Sequence, residues 1–273
     1  MRANPIAIGF IIYNPTVHFI ARINLLVGLG FKVYVFDNSP SLDATRNQLL
    51  EITGVEYSTF GKNVGLGIGI TAVCSQAYYD GYSALMFFDQ DTGFSAETLS
   101  FVNGFYKLQH KKLSGYSMVN FNSKYIVESI DSANYDNYDF VDVELAINSG
   151  SLYILNAVKD IGWHDLSYFV DGVDYKFCLD SAKKRYKIAS CRHTPGFDHV
   201  TEQDDLVYRF FHKKFLARKY NAKRVRDGIL SNFRLISDSL INGEFRLASK
   251  FLRFLFINTL VQSYVRVVGP VCK

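Results

Sequence analysis

Ala84-Leu85-Met86-Phe87-Phe88-Asp89-Gln90-Asp91-Thr92 sets five apolar residues directly ahead of two carboxylates spaced i, i+2. A continuous apolar run bounded by polar residues reads as a strand buried on both faces of a sheet. Open α/β sheets bind ligands beyond the carboxyl ends of their strands. Asp89 and Asp91 therefore fall at the rim of such a crevice, where two hard oxygen donors suit a divalent cation and, through it, a diphosphate. An isolated Asp-x-Asp is more often an ordinary turn, so the reading depends on what the chain places around it.

Upstream, strand and helix patterns alternate. Ile6–Tyr13 is a strand stopped by Asn14-Pro15, a turn-forming pair. From Thr16 the period changes, and Val17, Ile20, Ala21, Ile23, Leu25, Leu26 and Leu29 fit one helix face that ends at Gly28 and Gly30. Lys32–Phe36 is a second strand running into Asp37-Asn38-Ser39-Pro40, a helix covers 43–52, and Val55–Phe60 is a third strand. A third helix-forming stretch, Ile70–Tyr79, leads into the quoted run. This alternation predicts an α/β fold with a mostly parallel sheet and helical crossovers. It also gathers Asn14, Asp37-Asn38, Lys62-Asn63 and Asp89/Asp91 on one sheet edge.

Gly65, Gly67 and Gly69 follow the third strand. They lack the spacing of the dinucleotide fingerprint, which also belongs in the first βα turn, so a dehydrogenase is disfavoured. Two readings stay open: close backbone approach to a phosphate or sugar, or tight helix–sheet packing.

Downstream, Ala96–Gln109 reads as a helix capped by Ser95. Residues 120–142 are rich in Asn, Asp, Ser and Tyr and read as a solvated connector, with carbohydrate contact as the alternative. Val141–Ile147 resembles a strand, and Leu152–Leu155 continues in extended form after Asn148-Ser149-Gly150-Ser151. Phe169-Val-Asp171-Gly-Val-Asp174-Tyr then opens a helix, with Asp171 suited to cap it and Asp174 in its first turn, where it can face the crevice as a general base. A short strand, Lys187–Cys191, leads to a loop with two imidazoles, His193 and His199.

At 273 residues and 48% hydrophobic, the chain affords one large core or a domain with an appendage. No signal peptide or membrane-spanning run is evident. Cys74, Cys178, Cys191 and Cys272 lie far apart with no CxxC pair, which disfavours structural zinc or a disulfide framework and makes a reducing cytoplasm the expected compartment. The net charge of +4 is unevenly spread, since Arg209–Arg253 holds twelve Lys/Arg against Asp227, Asp238 and Glu244.

Taken together, Ile12-Tyr13-Asn14-Pro15, Val35-Phe36-Asp37-Asn38-Ser39, Asn63-Val64-Gly65, Phe88-Asp89-Gln90-Asp91-Thr92, Ser149-Gly150, Phe169–Tyr175 and His199 resemble, in order, the inverting family-2 glycosyltransferases of the GT-A fold. Within them the Asp-Gln-Asp-Thr form is similar to the bacterial rhamnosyltransferase branch. The resemblance spans roughly residues 5–200, making 1–200 a GT-A domain and 201–273 a C-terminal basic, aromatic helical region. It implies that Tyr13 and Asp37 hold the donor nucleoside and that Asn63, with Lys62, faces the ribose or diphosphate. It also implies Asp91 as direct ligand of Mg²⁺ or Mn²⁺, Asp89 nearer the donor sugar or ribose, Asp174 as catalytic base, and His199 at the metal or diphosphate. His193 is the alternative to His199. Thr71 departs from the family, which usually carries Asn there.

The implied activity is transfer of a hexosyl group, L-rhamnose from dTDP-rhamnose in the leading reading, onto a glycan or polyprenol-linked acceptor in O-antigen or capsule synthesis. A UDP-hexose or UDP-galactofuranose donor is the runner-up. A catalytically silent nucleotide-sugar-binding module is the reading from another class. In the tail, Tyr208–Tyr220 interleaves aromatic with basic residues, and helical patterns cover Lys223–Ile241 and Glu244–Val268. Basic, aromatic helices suit an anionic membrane interface, here through 205–268, whereas packing on the core or a homo-oligomer contact is the alternative. No nucleic-acid-binding module is present.

Overall fold

The computed structural model describes residues 5–40, 44–121, 139–191, 194–199 and 206–270. Its described residues form two compact units: one comprises the chain up to Phe169 together with Val173–His199, the other Val170–Gly172 with the C-terminal residues.

The first unit is built on β1 (Ile6–Ile12), β2 (Val33–Asp37), β3 (Val55–Thr59), β4 (Ala84–Asp89), β6 (Tyr116–Phe121), β7 (Phe140–Val143), β8 (Ser151–Ile154) and β9 (Lys187–Cys191). Their order in the sheet is β3-β2-β1-β4-β8-β6-β9-β7. The β3-β2-β1-β4 half is parallel throughout, and β8 and β7 run antiparallel to their neighbours. Helices α1 (Val17–Gly28), α2 (Ala44–Glu51) and α3 (Leu66–Tyr79) supply the crossovers of the parallel half. Completing the unit are α4 (Ala96–Gln109), α5 (Leu155–Ile161), α6 (Val173–Lys183) and the short ribbon of β5 (Thr92–Gly93) with β10 (Asp198–His199).

The strand anticipated at 84–88 is β4, and it is buried on both faces. On one face Phe88 meets Phe10 of β1, and Phe10 meets Phe19 of α1 edge-on at 5.2 Å between ring centres. Each such buried ring contributes about 1.5–3 kcal/mol relative to exposure. On the other face α3 lies so close that a Cβ on Gly9 would fall 2.8 Å from Leu85 Cδ2 and 3.2 Å from Val73 Cγ2. Helices on both faces explain why β1 and β4 show no apolar–polar alternation. Ser95 caps α4 as expected, its Oγ accepting from the Thr98 N–H at 3.1 Å.

Three expectations need correction. The strand anticipated over 141–147 ends at Val143. Helix α3 starts at Leu66 rather than Ile70, so two of the three glycines lie inside it. The basic, aromatic run near 208–220 is not helical: β11 (Leu206–Phe210) and β12 (Lys213–Ala217) form an antiparallel hairpin. Alternation decides it, since Tyr208 is buried and stacks on Phe215 while the intervening Arg209 and Lys214 are exposed. The connector over 122–138 lies outside the described residues.

The second unit also contains α7 (Ala222–Ile241) and α8 (Phe245–Val267). Asn221 caps α7 through its side chain. Phe233, Phe245, Leu252, Phe256 and Leu260 on these helices are all more than half exposed, at 58, 70, 57, 64 and 54%. No described helix is long and apolar enough to cross a membrane.

Candidate functional site

The parallel half of the sheet delivers its strand ends to one edge. Asp37 pairs with Ile12 and Asp89 with Ile11, so the two aspartates flank the end of β1, roughly 10 Å apart across two strand spacings. Tyr13 leaves β1 between them. Its backbone N–H donates to Gln90 Oε1 at 2.7 Å, and its ring is half exposed. Asn14 turns the chain away with φ 48°, its N–H donating to Ser39 Oγ at 2.7 Å.

Asp37 is only 4% exposed. One carboxylate oxygen accepts from the Ser39 N–H at 2.7 Å and the other from the Tyr57 hydroxyl at 2.6 Å. A carboxylate has further lone pairs for a ligand, but this one is fixed in place before any arrives. Asn38 ties the strand end to the glycine loop, donating to Gly65 O at 3.2 Å and accepting from the Val64 N–H at 3.1 Å. Lys62 and Asn63 are exposed, and Asn63 Oδ1 accepts from the Gly65 N–H at 3.0 Å.

The glycines themselves serve packing. Gly65 has φ +91°, and a Cβ there would lie 2.7 Å from Phe169 O; one on Gly67 would lie 2.6 Å from Asp165 O, and one on Gly69 2.9 Å from Ile11 Cδ1. Phe169 O also accepts from the Leu66 N–H at 2.5 Å, so the start of α3 is covered by the segment ahead of α6. Gly69 packs helix on sheet, as the second reading has it, whereas Gly65 and Gly67 meet the 165–169 segment.

Beyond β4 the turn holding Asp89 and Asp91 is braced from two sides. Ser149 Oγ accepts from the Asp89 N–H at 3.1 Å and lies 2.6 Å from Thr92 Oγ1. From α1, Arg22 donates to Thr92 O at 2.7 Å and to Gln90 O. Asp91 is exposed between those carbonyls, and its charge acts on the guanidinium. The backbone of His199 pairs with Thr92, which sets residue 199 beside the residue following Asp91. His193 lies outside the described residues.

Asp174 sits in the first turn of α6, where the helix dipole favours a carboxylate. Burial pushes the Tyr153 phenol well above its ordinary pKa, and Cys74, Asp174, Cys178 and Asp89 raise it further. The charges of both carboxylates act on this one hydroxyl, although 85 positions separate them in the chain. Tyr153 donates to Asn148 Oδ1, and His164 Nε2 lies 3.2 Å from its oxygen. The imidazole stacks on Phe177 of α6 with ring centres 4.4 Å apart, and burial lowers its pKa to about 3, so it is neutral. With its hydroxyl donating to Asn148, Tyr153 offers its oxygen as acceptor to the Nε2–H tautomer of neutral His164.

Asp171 does not cap α6, which opens at Val173. Its two oxygens accept instead from Arg224 Nε and Nη2 at 3.0 and 2.9 Å. Thr71, the departure from the family pattern, bonds the His164 backbone. Arg22 and Tyr153 were not singled out as site residues from the sequence. The signal for Arg22 was a lone cation bordering the helix face of Phe19, Ile23 and Leu26; Tyr153 in a strand carried none.

Among the described residues no three His, Cys, Asp or Glu side chains cluster as a closed metal site. Asp89 and Asp91 at the strand end nevertheless suit Mg²⁺ or Mn²⁺, which usually bind through one or two carboxylates plus substrate phosphates and waters.

No family model matches the chain, and no curated protein matches it in sequence. Solved structures do match in fold. S. aureus TarS 1–349 in complex with UDP-GlcNAc superposes with a TM-score of 0.58 at 13% identity, covering 90% of this chain and 71% of that one. A longer S. aureus TarS structure gives 0.52 at 15% identity over 85% of this chain, which spans only 39% of its length. GalNAc-T7 with UDP, GalNAc and Mn²⁺ gives 0.56 at 7% identity, covering 84% of this chain and 47% of that one. The fold is the GT-A fold of these proteins.

Proposed function

We propose that the chain is an inverting, nucleotide-sugar-dependent glycosyltransferase. The observation that carries the reading is the gathering of Asp37, Asp89 and the exposed Asp91 at the carboxyl ends of the parallel strands of a GT-A sheet, with Asp174 in the first turn of α6. Tyr13 and Asp37 hold the donor nucleoside, and Lys62 and Asn63 lie toward the ribose or diphosphate. Asp174 takes the proton of the acceptor hydroxyl, whose oxygen forms the new bond to the anomeric carbon as the bond to the diphosphate breaks. The electron pair leaves with the nucleoside diphosphate. With one base and no covalent nucleophile, the displacement is single and the anomeric configuration inverts. A positioned base contributes typically ~10²–10⁴-fold. Asp91, with Asp89 and His199, would hold Mg²⁺ or Mn²⁺, which supplies Lewis-acid stabilisation of the leaving phosphate.

Rhamnose from dTDP-rhamnose is the preferred donor on the strength of the Asp-Gln-Asp-Thr resemblance. A UDP-hexose or UDP-galactofuranose donor is the second reading, favoured by the UDP-GlcNAc in the TarS complex. The acceptor is a surface glycan or its polyprenol-linked precursor. The enzyme works in the cytoplasm and touches the membrane peripherally through the exposed apolar residues and basic side chains of α7 and α8. Phe245 and Phe256 lie eleven residues apart, hence on one helix face. Replacing both by Ser should reduce co-sedimentation of the full chain with anionic vesicles; unchanged partitioning removes the membrane contact. The function itself is tested by thermal shift against a panel of nucleotide sugars with Mg²⁺ or Mn²⁺. Stabilisation by one nucleotide series is expected, and no shift with any member would overturn the reading.

A further inference from the structure

We propose that Arg22 is a positioning residue that pre-forms the Asp89–Thr92 turn for metal and diphosphate. The proposal rests on the transferase reading above and adds to it a residue from a helix that carries none of the assigned groups. Arg22 leaves α1 beside its buried face, and its guanidinium lies over the Phe19 ring, 5.3 Å from the centroid. Phe19 in turn packs on Phe10, and Phe10 on Phe88, the residue immediately before Asp89. The stem is thus anchored in the same core as the strand that ends at the site.

From there the guanidinium reaches two carbonyls, Gln90 O and Thr92 O, which bracket Asp91. The planar guanidinium presents separate donors in a fixed geometry to the two acceptors; a lysine ammonium on a flexible stem acts as a point charge. Desolvation lowers the Arg22 pKa while the Asp91 charge raises it. A part-buried cation carries a desolvation cost, and here the two carbonyls and the neighbouring carboxylate offset it.

The grip has two consequences. It fixes the backbone on both sides of Asp91, so ordering the turn is not left to the moment of ligand binding. It also fixes Thr92, which pairs with the His199 backbone, so the ribbon that brings residue 199 to the turn shares the same support. Asp174 belongs to another element, so loss of Arg22 should appear in binding rather than in the chemical step.

The test uses the full chain as wild type, Arg22→Met and Arg22→Lys. Mn²⁺ binding is titrated calorimetrically in the presence of UDP or dTDP, alongside donor KM, kcat and melting temperature. Arg22→Met keeps the apolar stem over Phe19 and removes the fork. It should weaken Mn²⁺–nucleotide binding on the order of tenfold and raise donor KM comparably, with kcat changed much less. Arg22→Lys keeps the charge without the fork and should fall between. Binding by either folded variant within about twofold of wild type, or a lowered melting temperature with unchanged affinity, overturns the proposal. If Arg22→Met does not fold, Arg22→Lys alone decides. A wild type that binds neither nucleotide removes the transferase reading and this proposal with it; nucleotide binding that is indifferent to the substitutions removes only the proposal.

Discussion

Two aspartate-bearing segments are each held by an arginine from a helix, and the arginines grip different atoms. In the 89–92 turn, Arg22 takes the carbonyls of Gln90 and Thr92, so its hydrogen bonds end on backbone. In the 170–172 segment, Arg224 of α7 takes the carboxylate of Asp171 on both oxygens. There the backbone is held by a second acid, Asp227, which accepts from the Val170 and Asp171 N–H groups at 3.2 and 3.0 Å. In sequence, Asp-x-Asp at 89–91 and Asp-x-x-Asp at 171–174 look like two equivalent carboxylate pairs. In the fold, the first presents Asp91 to solvent, whereas the second spends Asp171 on an ion pair and leaves Asp174 for the proposed role of base.

The largest effect expected from this contrast separates Asp174 from Asp171. Asp174→Asn should reduce transfer by about 10²–10⁴-fold while nucleotide binding stays near wild type. Asp171→Asn should lower thermal stability and cost less than about tenfold in rate. Steady-state kinetics with calorimetric nucleotide binding decides; equal losses of kcat in the two variants would erase the distinction. Next in size, Asp91→Ala should abolish the metal dependence of donor binding. Donor affinity that is identical for the wild type with and without EDTA would remove the metal from the 89–92 turn.

The sequence carried the parallel half of the sheet because β1, β2 and β4 are apolar up to their carboxyl ends, which Asn14, Asp37 and Asp89 mark; β6 was not anticipated. Ser95 was legible as a cap because an N-cap is a local bond. What stayed hidden depends on partners distant in the chain. Asp171 has the composition of a cap, and only the arrival of Arg224, 53 positions later, makes it an ion-pair partner. The glycines at 65, 67 and 69 gave no means of choosing between ligand and packing, since the atoms that crowd them belong to residues 11 and 165–169. The hairpin at 206–217 was missed because basic and aromatic residues over so short a run satisfy either period.

Acid offers a route to the first unit without mutation. Burial holds the His164 pKa at about 3, below its ordinary 6.5. A depressed folded-state pKa means that the unfolded chain binds the extra proton, so this contribution to stability is present above pH 6.5 and is lost as pH falls toward about 3. His164→Phe, which preserves a ring against Phe177, should flatten that part of the profile of unfolding free energy against pH. An unchanged slope would show that the imidazole is not kept neutral behind α6.

Arg224→Met addresses the carboxylate grip itself. Hydrogen bonds to charged groups contribute about 1.5–3 kcal/mol. With side chains 38 and 30% exposed, solvent screening reduces the expected loss to about 1–2 kcal/mol by denaturant titration. Burial, opposed by the Arg224 charge and hydrogen bonds, raises the Asp171 pKa, so removing the arginine should raise it further.

The smallest effect is also the most direct probe of whether Asp171 is fixed. Gly228 lies inside α7, and a Cβ there would sit 3.1 Å from Asp171 Oδ2 and 3.7 Å from its Cγ. Replacing a mid-helix glycine by alanine ordinarily stabilises by roughly 0.5–1 kcal/mol. While Arg224 holds the carboxylate on both oxygens it has no room to retreat, so Gly228→Ala in the wild-type background should give no gain or a small loss. In the Arg224→Met background the carboxylate can swing away, and the same substitution should recover its roughly 0.5–1 kcal/mol. The sign of that coupling carries the argument: equal stabilisation in both backgrounds would mean that Asp171 moves freely beside Arg224, and the difference between the two arginine grips would dissolve.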